Sequence, residues 1–163
     1  MAARARPRRK ESAMEPKDEI GRFIRPATLV SSVIVASLVV YLALVIVVRT
    51  ALGSFSGLAG IADMQPLRYA AYGAAAAVIL LLLILRPRLF KKRAGEDVGT
   101  ALLRLQRAAL LTMVLAEGPA IIGLVLFFSG GNAADFYKLL FASIVLAFIH
   151  FPRRGAWEDW LKG

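Results

Sequence analysis

Four long apolar runs alternate with arginine-rich segments, and this alternation constrains the chain more than any other feature. Pro26 to Val48 is 23 uncharged residues between Arg25 and Arg49. Tyr69 to Leu85 is 17 residues between Arg68 and Arg86, with Pro87 placed to end it. Ala108 to Phe128 is 21 residues holding one charge, Glu117. Leu139 to Pro152 is 14 residues. About 20 apolar residues, rising 1.5 Å each, cross the hydrocarbon core of a bilayer. The fourth run becomes long enough if its helix starts near Ala134, with Asp135 and Lys138 reaching the headgroups. The first exceeds the ~7–15 apolar residues of a cleaved signal and reads as an anchor. The pattern predicts an all-α integral membrane four-helix bundle, with spans at about 26–48, 69–86, 107–129 and 134–152.

The charges then predict an orientation. Of 21 Lys and Arg, eight precede the first run, seven lie from Arg86 to Arg107 and three follow Pro152. Only Arg49, Arg68 and Lys138 fall on the other side. Positive charge collects on the cytoplasmic face, so both termini are expected inside, at the cell inner membrane. Residues 1–22 are expected to be a basic, disordered tail, 23–152 the membrane domain and 153–163 an interfacial tail. Met14 offers a second start. The net charge of +10 calls for no nucleic acid, because topogenic charge and attraction to anionic lipid account for it. A chain 58% hydrophobic is neither an ordinary soluble enzyme nor a disordered tail. Without cysteine and with one histidine it has no disulfide, no thiolate nucleophile and no zinc centre. No cofactor, metal or enzymatic activity is expected.

The segments between the runs carry weaker signals. Gly53, Gly57 and Gly60 predict a flexible loop, although Gly53 and Gly57 have the spacing of a helix-dimer motif. Trp157 and Trp160 predict an aromatic belt anchor, with a docking handle as the alternative. His150 is expected at the membrane interface.

Glu117 is the residue on which function turns. It lies ten residues beyond Arg107, about 15 Å along a helix and so near mid-membrane. A charged acid there costs roughly 2.5–3.5 kcal/mol, so an apolar setting favours the protonated acid. Intramembrane carboxyls of this kind mark functional sites. Gly118 and Pro119 follow it. Pro119 has no N–H, which frees the carbonyl of Leu115 to bond the acid. By depth, Ser37, Tyr41 and Ser143 are its candidate partners. Gly73, Ala77, Ala116, Ala120 and Gly123 are the small residues expected to let helices approach.

The stretch Leu115 to Leu126, LAEGPAIIGLVL, resembles the carboxylate helix of the rotary ATP synthase proteolipid, subunit c. Ala116, Glu117, Ile121, Gly123, Leu124 and Val125 carry the likeness. The arrangement from 68 to 128 is also similar: a small-residue helix with Gly73 to Ala77, a polar turn, then the carboxylate helix. Ile122 stands where that family commonly has tyrosine. The family's Arg-Gln-Pro loop motif is absent, and its four-span members carry the acid in the second or fourth span. The resemblance implies a proton-binding Glu117 and a role as a proteolipid-like subunit of a larger membrane complex, formed with other subunits or by self-association. The alternatives are a structural or assembly subunit whose Glu117 only joins helices, and a small proton-coupled transporter.

Overall fold

Long runs of Ala, Leu, Val and Ile, broken by few glycines, can satisfy their backbone in an apolar medium only as helices. The computed structural model describes residues 16–53, 55–59, 63–91 and 95–162. It has five helices: α1 (Pro16–Leu52), α2 (Gln65–Leu89), α3 (Val98–Gly130), α4 (Ala133–His150) and α5 (Arg154–Lys162). There is no strand among the described residues. Four helices are long and apolar enough to cross a membrane: Gly21–Leu52, Gln65–Leu89, Val98–Gly130 and Ala133–His150. Their outer surface is apolar, with Leu29, Val39, Leu80, Phe141 and Phe148 largely exposed. A surface of that kind suits hydrocarbon and not water.

The helices run further than the apolar runs that mark them. α1 starts at Pro16, because proline fits a first turn whose N–H groups have no partner anyway. Residues 16–22 are therefore helical instead of disordered, while residues 1–15, including Met14, lie outside the described residues. α2 continues through Pro87 to Leu89. A proline that close to the end removes one internal bond and no more. α3 starts at Val98, where the Asp97 carboxylate accepts from the Gly99 N–H at 3.1 Å. Much of the basic segment from Arg86 to Arg107 is thus helix. The turn left over spans 90–97, of which 92–94 lie outside the described residues.

α3 is the central helix. α1, α2 and α4 all pack on it, and α4 also touches α1. Ala116 and Ala120 are fully buried. A Cβ on Gly123 would stand 3.0 Å from Leu139 Cβ and 3.3 Å from Phe136 Cα. These three small residues let α4 close on α3. On another face of α3, Gly118 meets Val78 of α2. Gly73 and Ala77, expected at the α2–α3 contact, instead face outward, and a Cβ on Gly73 would point into open space, with nothing from another helix within 4 Å. The contact face of α2 runs through the buried Ala75 and Leu82. Two residues either side of Ala75 is about 200° of helix, so Gly73 and Ala77 fall on the far side. Gly73→Leu is therefore expected to shift unfolding in detergent by no more than about 0.5 kcal/mol. Gly123→Leu should cost on the order of 1–3 kcal/mol. Equal losses would mean that α2 packs through Gly73.

The segment 55–59 is docked and does not behave as a free loop. The Leu58 and Ala59 N–H groups donate to the Phe128 and Ser129 carbonyls, at 2.8 and 3.3 Å. Those carbonyls belong to the last turn of α3, which has no internal donors for them. The close crossing needs two glycines with left-handed backbone, Gly57 (φ +91°) and Gly131 (φ +72°). A Cβ on Gly57 would overlap the Ser129 carbonyl, and one on Gly131 the Phe55 carbonyl. Gly60 lies outside the described residues.

α5 closes onto the bundle at the arginine-rich end. Trp157 is 3% exposed and packs in a cluster with Ile24, Ala27, Leu102, Leu105 and Ala109. The Trp160 indole N–H donates to the Phe90 carbonyl at 2.7 Å. Three residues apart, the two indoles share one helix face. Their expected role as an aromatic belt gives way to contacts within the chain.

Candidate functional site: a carboxyl between two helices

Ser37 and Tyr41 lie four residues apart on α1 and so point from one face. That face meets Glu117 of α3. The carboxyl Oε1 accepts from Ser37 Oγ at 2.5 Å and from Tyr41 OH at 2.7 Å. Glu117 is half-buried. It stands beside the gap that α1 and α2 leave on α3, next to an outward stripe of Leu111, Val114, Ile121 and Val125. Among the described residues it has no ion-pair partner.

Ser37 gives the site its chemistry. Its Oγ lies 2.5 Å from Glu117 Oε1 and also 2.7 Å from the Ile34 carbonyl. A hydroxyl has one proton to donate, and here it has two acceptors. With Glu117 ionised, Ser37 donates to the carboxylate. With Glu117 protonated, the acid donates to Ser37, and Ser37 turns its proton to Ile34. Both arrangements use the same heavy-atom positions, so these hydrogen-bonding groups can satisfy either form of the acid.

The remaining predicted residues fall around this pair in a different way from that expected. Ser143 Oγ accepts from the Ala120 N–H at 2.8 Å and lies 3.5 Å from the Glu117 carbonyl. It therefore holds the backbone beside the acid and leaves the carboxyl to α1. The reason is angular. α4 sits over Ala116, Ala120 and Gly123, roughly 90° around the helix from Glu117 at 100° per residue. Pro119 is buried on this side. The Leu115 carbonyl makes no bond to the carboxyl among the described residues, and both of its bonds come from α1. Gly118 serves the contact with α2.

Two further polar groups escaped the sequence reading. Asp135, expected to reach the headgroups, is fully buried. Arg68 grips it with Nε at 2.8 Å from Oδ2 and a terminal nitrogen 3.0 Å from Oδ1, while Tyr72 OH donates to Oδ1 at 2.9 Å. The available signal was Arg68 and Tyr72 at a spacing of four, on one face of α2. His150, expected at the interface, is 9% exposed. Its Nδ1 lies 2.7 Å from the Leu146 carbonyl, and among the described residues its Nε2 has no hydrogen-bond partner. Among the described residues no three His, Cys, Asp or Glu gather to hold a metal ion.

Comparison of the chain with protein-family models, with curated proteins and with solved structures finds no match.

Proposed function

We propose that this is a multi-pass protein of the cell inner membrane, with both termini cytoplasmic, in which Glu117 binds and releases a proton. In this reading it serves as a proteolipid-like subunit of a larger membrane complex. The observation that carries the proposal is Ser37, whose single hydroxyl proton has two acceptors at bonding distance. A carboxyl so placed can take up or give off a proton while Ser37 keeps one acceptor in either case, which supports this reading. The outward stripe beside Glu117 supports the second half of the reading. It leaves the acid within reach of a neighbouring subunit. The likeness of Leu115 to Leu126 to the subunit c helix points the same way.

Carbodiimides attack protonated, desolvated carboxyls. Glu117 should therefore be modified more readily as the pH falls, with the adduct located by peptide mass spectrometry. Added sodium should not protect it, because Ser37 Oγ and Tyr41 OH turn their protons, and not their lone pairs, toward the carboxyl. Strong sodium protection would replace the proton with a metal cation, and no adduct at any pH would remove the carrier role.

Orientation is tested with single cysteines, which are unambiguous in a chain that has none of its own. Ser56→Cys should label from outside and Gly155→Cys only from inside. Outside labelling at 155 would overturn the topology.

A further inference from the structure

At the arginine-rich end, a groove of about 670 Å³ lies between the last turns of α2, the lower part of α3, the end of α4 and α5. Arg86, Arg153 and His150 are among the side chains that line it. Among the described residues neither guanidinium has an acidic partner. Arg153 rests over the Phe148 ring at 5.3 Å. His150, nine-tenths buried, brings a ring nitrogen that no protein group bonds. The other walls are apolar, and two of them, Leu83 and Ile149, are about half exposed and lead out onto the surface of the bundle. Positive charge at the mouth and hydrocarbon along the exit define a ligand that is anionic at one end and apolar at the other.

We propose that this groove binds an anionic phospholipid, with Arg86 and Arg153 on the headgroup phosphate and an acyl chain lying along Leu83 and Ile149. Basic pockets between membrane helices commonly hold such headgroups. Guanidinium forks match phosphate oxygens in pairs. The site is separate from Glu117 and stands whether or not that acid carries a proton.

The test is native mass spectrometry of the full chain in mild detergent, with phosphatidylglycerol and phosphatidylcholine of identical chains added in turn. Phosphatidylglycerol should stay bound and phosphatidylcholine should not. Arg86→Gln and Arg153→Gln should each weaken retention about fivefold, and together by more than tenfold. Arg86→Lys should keep most of it. Melting followed by circular dichroism identifies variants that remain folded. If the double variant does not fold, the unaltered chain decides: its preference for phosphatidylglycerol should shrink as salt rises. Equal retention of the two lipids, or undiminished phosphatidylglycerol binding by a folded double variant, would overturn the proposal. Inorganic phosphate is the control for a soluble ligand. If millimolar phosphate alone raises the melting temperature and displaces the lipid, the groove is a site for a free phosphate compound and the lipid assignment fails.

Discussion

Glu117→Gln is expected to leave the protein folded and to abolish its proton binding entirely. Glutamine keeps the length of the side chain, and its carbonyl oxygen, placed where Oε1 stands, accepts from both Ser37 Oγ and Tyr41 OH, so both contacts survive. What is lost is titration. In difference infrared spectra the carboxyl C=O band that appears on acidification should vanish in this variant, and whatever activity the parent complex has should vanish with it. Glu117→Leu is the informative companion. It leaves Tyr41 without its acceptor, a loss of about 1 kcal/mol, while Ser37 keeps the Ile34 carbonyl. If Gln retains full activity and only Leu is damaging, the acid is a strut between α1 and α3, and the proteolipid-like reading is wrong.

The largest expected loss of stability lies elsewhere, at Arg68. Arg68→Leu strands the Asp135 carboxylate, which is fully buried and, among the described residues, has only Tyr72 as its other partner. Removing one partner leaves the other charge buried and uncompensated, so the variant should unfold well before the parent. Arg68 is itself 40% exposed, so water screens part of the loss. Asp135→Leu combined with Arg68→Leu should recover most of that loss, because an apolar pair of similar volume often matches a buried ion pair. The double-mutant cycle, followed by unfolding in detergent, checks this directly. Additive losses would show that the two side chains do not depend on each other.

The sequence showed the spans because charge is expensive in hydrocarbon, and the alternation of apolar and basic segments is hard to read any other way. The depth of Glu117, Ser37 and Tyr41 was also legible. A constant rise per residue converts position in a run into height in the membrane. Rotation was not legible. Gly73 and Ala77 sit in a stretch with four consecutive alanines that covers every face of α2, so nothing in it says which face packs. Ser143 has the right depth but the wrong bearing, a quarter turn from the acid it was expected to bond. Asp135 was misplaced because a charge at the end of a run looks alike whether it turns out to the headgroups or in to an arginine. The docking of α5 through Trp157 needed the positions of two other helices, α1 and α3, which no local pattern supplies.

The ion pair at Asp135 shortens the part of α4 that hydrocarbon can cover. From Phe136 to Ile149 is 14 residues, about 21 Å of helix. The run of α3 from Ala108 to Phe128 is 21 residues, about 31 Å, and Ser143 fastens the two helices together at one level through Ala120. Tilting α3 does not lengthen α4. A bilayer around such a pair is expected to thin on the α4 side, since mismatch costs a fraction of a kcal/mol per ångström. A molecule of this asymmetry is expected to favour thin membranes and neighbours that shield its short side.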